Sequence, residues 1–174
     1  MMVDVTYQMV LSTIQTAGIL VGIAYYIMTL NYTRKNQEMQ LETRQTQLFM
    51  YLYDKWSSED FQKKITELQL TNWDDYEDWN SKYGPSADLD TYSRMTSLGS
   101  FYEGLGVLVK NGQVKPELVD ELMSHSLISA WEKIAPIIIH QRKKFNYPNM
   151  GEWMEYLYNQ IKPIYDKQHP ELAP

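Results

Sequence analysis

Residues 9–30 read MVLSTIQTAGILVGIAYYIMTL, and no ionisable side chain other than tyrosine occurs between Asp4 and Arg34. A bilayer core of about 30 Å is crossed by roughly 20 helical residues, so this run is long enough to span with room for tilt. Tyr25, Tyr26 and Tyr32 stand where an interfacial aromatic belt would lie. A cleaved signal peptide would open on basic residues and carry a shorter apolar core, whereas this chain opens with Asp4. Arg34 and Lys35 follow the run and only Asp4 precedes it. The positive-inside bias therefore predicts a single-pass cell-membrane protein with its N-terminus outside and its C-terminal domain cytoplasmic.

One face of the span is polar or small. Gln8, Ser12 and Gln15 fall at helical spacing, and Gly18 and Gly22 form a GxxxG pair. In lipid such a face favours a protein partner, because amides hydrogen-bond across helices and glycines admit a close backbone. The expected partners are the lipid bilayer and either a second copy of the chain or another membrane subunit. A small oligomeric channel, or a channel regulator, is the alternative reading of the same stripe. No charged residue within the span marks an ion route.

Residues 31–56 contain neither Gly nor Pro and are dense in Gln, Glu, Arg and Lys. Helix is expected to continue out of the membrane; unbroken to Trp56 it would be roughly 75–80 Å long at 1.5 Å per residue. Leu41, Leu48 and Leu52 with Gln45 permit a short coiled-coil seam, but Leu48, Leu52 and Trp56 are better read as entering the core of the following domain. The expected organisation is an anchor over 1–33, a stalk helix over 34–56, a helical bundle over 57–165 and a polar tail over 166–174.

The remaining chain reads as a bundle of about five or six shorter helices, an all-α fold. Ser57-Ser58-Glu59-Asp60 carries capping-box chemistry for a helix with Phe61, Ile65 and Leu68 inward. Trp73, Tyr76, Trp79 and Tyr83 recur before Gly84-Pro85, interleaved with Asp74, Asp75, Glu77 and Asp78; aromatics facing in and acids facing water explain the pattern better than a ligand patch does. Residues 90–110 form a helix with Tyr92, Met95, Leu98, Tyr102, Leu105 and Val109 inward, closed by Asn111-Gly112. Its Gly99, Gly104 and Gly106 imply close packing against a neighbour. Pro116 opens a short helix carrying Leu118, Val119, Leu122 and Met123, and a separate one is expected over 127–144, with Trp131, Ile134, Ile138 and Ile139 buried and Pro136 interrupting it. The last helix spans 151–165 with Trp153, Leu157 and Ile161 inward.

Several function classes fall away. Without cysteine there is no disulfide, thiolate metal site or cysteine nucleophile. A net charge of −6 disfavours nucleic acid as a partner. His125, His140 and His169 have no metal-ligand spacing, and neither a phosphate loop nor a nucleophile elbow occurs, so no cofactor, metal or catalytic residue is implied. Glu103 is the best candidate for a buried polar residue, expected to pair with Lys133, His140 or Arg142; an enzyme pocket around it is a further alternative. Arg142, Lys143 and Lys144, followed by Phe145 and Tyr147, permit contact with anionic headgroups, although a charged helix end explains them better.

The stretches Gln15-Thr16-Ala17-Gly18-Ile19-Leu20-Val21-Gly22, Leu41-Glu42-Thr43-Arg44-Gln45, Gln47-Leu48-Phe49-Met50, Phe101-Tyr102-Glu103-Gly104 and Trp153-Met154-Glu155-Tyr156-Leu157-Tyr158 are spread along nearly the whole chain. In their order the chain resembles an uncharacterised prokaryotic, notably archaeal, family of small proteins with one N-terminal membrane helix and a cytoplasmic helical domain. That resemblance implies the anchor and the fold and brings no reaction. The reading it favours is a non-enzymatic interaction or scaffold subunit held at the cytoplasmic face.

Overall fold

The computed structural model describes residues 7–172; Asp4, on which the orientation argument draws, and the last two residues of the polar tail lie outside the described residues. The fold is all-α. Helices α1 (Tyr7–Ser57), α2 (Glu59–Leu70), α3 (Tyr76–Tyr83), α4 (Leu89–Lys110), α5 (Pro116–Lys144) and α6 (Glu152–Gln168) precede a 3-10 turn at Pro170–Leu172, with no strand among the described residues. The chain divides into two units, Met1–Gln45 and Thr46–Pro174.

The first unit is helical from Tyr7 and contains a window long and apolar enough to cross a membrane, none of it buried by protein. Ile19 is 63% and Val21 69% exposed. The threonines need no partner from outside the helix, since Thr13, Thr16 and Thr29 donate to the carbonyls of Met9, Ser12 and Tyr25 at 2.8, 2.9 and 2.9 Å.

The second unit builds one main core. Phe49 near the end of α1 is buried, and Leu48, Leu52, Tyr53 and Trp56 pack against that core, as the core reading of those leucines requires. Phe61 and Leu68 of α2, Leu98, Tyr102, Leu105 and Val109 of α4, and Leu157 and Ile161 of α6 lie on the expected faces, while on α6 Met154 is buried in the place expected of Trp153, and Trp153 is half-buried. Tyr76 and Trp79 face inward from α3 while Asp74, Asp75 and Glu77 stay exposed, the arrangement expected of that aromatic-acidic segment.

Helix ends follow local chemistry. Ser58 accepts from the Phe61 amide at 3.3 Å, but Phe61 at the third position cannot reciprocate, so the capping box is only half made. At the end of α4, Gly112 has φ +68°, its N–H donates to Val109 at 3.0 Å, and Gln113 donates to Leu108 at 2.9 Å. That is a Schellman closure, with glycine where the backbone turns left-handed.

Three expectations need correction. Residues 116–144 form a single helix, because Ser124 is buried and Ser126 half-buried on its inner face while His125 points to solvent, so the polar segment continues the helix rather than turning the chain. Pro136 is tolerated since it and Glu132, whose carbonyl loses its amide, are both exposed to water. On that helix Leu122 and Ile139 are exposed, at 41% and 43%, and Ile137 is buried instead. The last helix continues to Gln168, past Tyr165, with exposed Pro163 inside it. Of the three glycines in α4 only Gly106 meets a close neighbour: a Cβ there would drive into the Trp153 carbonyl, while at Gly99 and Gly104 it would meet nothing within 4 Å.

Gly106→Ala is therefore expected to lower stability by about 2 kcal/mol or more, through a backbone clash that no rotamer relieves. Gly99→Ala and Gly104→Ala should raise it by roughly 0.5–1 kcal/mol through helix propensity. Thermal unfolding of the three variants checks the contrast. A second test concerns Asp120 on α5, which is 4% exposed with no donor on Oδ1. Burial holds its carboxyl above the ordinary range, against the pull of Gln168 and His169. A raised carboxyl pKa in the folded state favours folding only where the group is protonated. Asp120→Asn should thus raise Tm near pH 7, and the gain should shrink as pH falls to the ordinary carboxylate range near 4.

Candidate functional site: an apolar cleft bearing Glu103

Four helices of the second unit surround a cleft of about 360 Å³. Helix α4 contributes Tyr92, Met95, Gly99 and Glu103, which recur every three or four residues and so share one face. Helix α5 contributes Trp131, Ile134, Ile138 and Gln141 by the same spacing. Trp79 and Asn80 of α3 form another wall, and Gly151 and Met154 bring in the first turn of α6. The lining is mostly aromatic and aliphatic, with Thr96, Ser100, Asn80 and Gln141 as neutral polar groups. Glu103 is the one Asp, Glu, Lys or Arg among its lining residues.

The sequence of α6 explains why Glu103 is there. Helix α6 begins after Gly151, which sits at φ +69° and has no side chain to cap the orphan amides. Glu103 performs that task from α4: its Oε1 accepts from the Met154 amide at 2.7 Å, the amide an N-cap side chain ordinarily takes. A carboxylate at a helix N-terminus is further stabilised by the macrodipole. Gly106, one turn along α4, permits the close approach that this bond needs. The second carboxylate oxygen, Oε2, is neither buried nor bonded to a protein donor.

The cation expected beside Glu103 is absent, because each candidate is engaged elsewhere. Lys133 caps the other end of a different helix, donating to the carbonyls of Gln69 at 2.8 Å and Thr71, at the close of α2. Burial lowers its pKa. His140 lies flat on Tyr76, ring centroids 4.0 Å apart. Arg142 donates through Nε to Met150 at 2.7 Å and pairs through Nη1 with Glu155 at 2.7 Å, while its Nη2 is buried without a partner. Arg142 thereby ties α5 to the loop before α6 and to α6 itself.

The basic run is correspondingly reduced. Arg142 is turned into the fold and Lys144 lies over the Tyr76 ring at 4.6 Å, which leaves Lys143 as the exposed member that these contacts do not engage. Within the first unit, Gln8, Ser12 and Gln15 are exposed, and neither Gly18 nor Gly22 has an atom near the place a Cβ would take.

Sequence reasoning missed a second polar device, Ser126. Its hydroxyl donates to Met123 at 2.9 Å and accepts from Trp56 Nε1 at 3.2 Å. A hydroxyl has one proton to give, so the Tyr102 hydroxyl at 2.8 Å must be the donor of that pair. Burial pushes the Tyr102 phenol up to about 12, which keeps it protonated for this role. The available signal was a serine on an otherwise apolar face opposite a tyrosine and a tryptophan.

Glu103→Ala should cost about 1 kcal/mol by leaving the Met154 amide uncapped, whereas Glu103→Gln, which retains an acceptor, should lose only a few tenths. Chemical denaturation of both variants, with unchanged m-values, is the measurement.

The chain was compared with known proteins: no curated protein and no solved structure matches it. One family model does, over residues 12–161, a stretch that takes in α1 from Ser12 onward with most of the apolar segment, all of α2 to α5, and α6 as far as Ile161. That family is described as a domain of unknown function, DUF4760, and the chain belongs to it.

Proposed function

We propose that this protein is a single-pass membrane protein whose helical domain lies on the cytoplasmic side and acts by binding partners rather than by catalysis. The observation that carries the reading is the state of residues 7–33: an uncharged helix whose apolar window is wholly uncovered by protein. Leaving that many Leu, Ile and Val side chains in water would forfeit about 25 cal/mol for every Å² of apolar surface, a cost that lipid removes. Arg34 and Lys35 directly after the apolar run support a cytoplasmic domain. The uncovered Gln8, Ser12, Gln15, Gly18 and Gly22 stripe supports self-association or docking on another membrane helix. Binding rather than turnover is supported by what the domain's ionisable groups do: Glu103, Lys133 and Arg142 each hold a helix end or a loop in place.

Three measurements test this. Carbonate-washed membranes should retain the full-length chain, and recovery of intact protein in the supernatant would end the proposal. The chain has no cysteine, so single Tyr7→Cys and Lys143→Cys variants can be labelled cleanly. An impermeant maleimide should reach the first on intact cells and the second only after lysis. Gly18→Leu combined with Gly22→Leu should lower chemical cross-linking of the chain in membranes several-fold while leaving membrane retention unchanged.

A further inference from the structure

We infer that the cleft between α3, α4, α5 and α6 is a binding site for a small organic cation, an amine with an apolar, preferably aromatic, body. This goes beyond the tethering reading and does not depend on it.

The size is right for a small molecule, since such sites begin at roughly 300 Å³ and this one measures about 360 Å³. The walls are right for a flat apolar body. Trp79, Tyr92, Trp131 and Phe145 offer ring faces and edges, and Met95 and Met150 are flexible enough to close around a guest. Gly99 is part of the opening: it lies in the middle of a helix, where glycine costs about 1 kcal/mol relative to alanine, yet no neighbour occupies the space a Cβ would fill. Close helix packing therefore does not account for it, and room in the cleft does.

Charge selects the head group. Glu103 is the only charged side chain on the lining, and no lysine, arginine or histidine pairs with it among the described residues. The first turn of α6 offsets about half an elementary charge, and it does so through Oε1 alone. Oε2 has no protein donor, and the aromatic rings that line the same cleft have faces that attract cations. An ammonium group at Oε2 completes the carboxylate's hydrogen bonding, while Ser100, Thr96 and Gln141 remain for a second polar group on the ligand. An anionic ligand would meet the opposite conditions: no lysine, arginine or histidine lines the cleft, and Arg142, behind Gly151, is paired through Nη1 with Glu155.

The test uses the full-length chain in lipid nanodiscs and three probes sharing one body: 2-(1-naphthyl)ethylamine, 2-(1-naphthyl)ethanol and 1-naphthylacetate. Binding is followed by isothermal titration calorimetry. The amine is expected to bind at least tenfold more tightly than the alcohol, with the acetate weakest. Glu103→Gln keeps the cap on Met154 and should reduce the amine to the affinity of the alcohol. Gly99→Leu fills the cleft from a position with free space and should weaken the amine at least tenfold with no fall in Tm. Equal binding of amine and alcohol by the native chain, tighter binding of the acetate, an amine preference that survives Glu103→Gln, or no binding of any probe would each overturn the inference. Whether the chain is retained in carbonate-washed membranes has no bearing on these outcomes, so failure here and failure of the tethering reading are separable.

Discussion

The cleft helices depend on how the first turn of α6 is received by α4. Glycine at position 151 starts a helix in the left-handed region and leaves its amides without a local acceptor. Glu103 supplies the acceptor, and Gly106, three residues on and so on the same face of α4, removes the side chain that would hold the two backbones apart. Neither feature works alone, because the bond requires the approach and the approach would bury uncapped amides without the bond. Arg142 then fastens the same turn to α5 through the Met150 carbonyl and Glu155. Three helices are thus fixed at one point, and the cleft is the space enclosed beyond it.

The rest of the domain repeats this economy of polar groups. Lys133 closes the carbonyl end of α2, and Ser126 joins α1, α4 and α5 through Trp56 and Tyr102. In each case a side chain from one helix satisfies groups that another helix cannot satisfy itself, which couples helix order to helix placement. Asp120 is the exception, buried with an oxygen that no donor reaches. It destabilises the folded state at neutral pH for the reason that Glu103 does not: Glu103 has a helix terminus in front of it.

Helix faces were legible in the residues themselves. The uncharged run, the Leu98, Tyr102, Leu105 and Val109 stripe and the Asn111-Gly112 ending each encode their outcome within a few positions. What escaped the sequence was non-local. The break expected at Ser124-His125-Ser126 did not form because Ser126 finds partners 70 and 24 residues away. Ile139 and Ile137 exchange roles because a run of three isoleucines does not fix its own register against neighbours. Glu103 was singled out correctly as a carboxylate on an apolar helix, yet its partner is an amide rather than a cation. A glycine before α6, with no Ser, Thr, Asp or Asn at the cap, was the clue that an acceptor had to come from elsewhere.

The two units handle apolar surface by different means, and the difference explains why one is polar where it seems costly. In the apolar run of the first, the Thr13, Thr16 and Thr29 hydroxyls are returned to the helix's own carbonyls, and the side-chain amides and hydroxyl of Gln8, Ser12 and Gln15 are grouped on one face. In the second, aromatic side chains are divided between the main core, where Phe49, Phe61, Tyr102 and Trp131 are buried, and the cleft, where Tyr76 and Trp79 form a separate buried cluster with Ile137. In the main core, Leu98, Leu105, Val109, Met123, Leu127, Met154 and Leu157 of α4, α5 and α6 pack around Tyr102 and Trp131. At the cleft, rigid rings line the same space as Gly99, where no atom lies within 4 Å of the place a Cβ would take, and they do not bend to fill that gap. The cavity is in this sense a consequence of where the aromatics were placed, and the single charge at its edge follows from the need to begin α6 there.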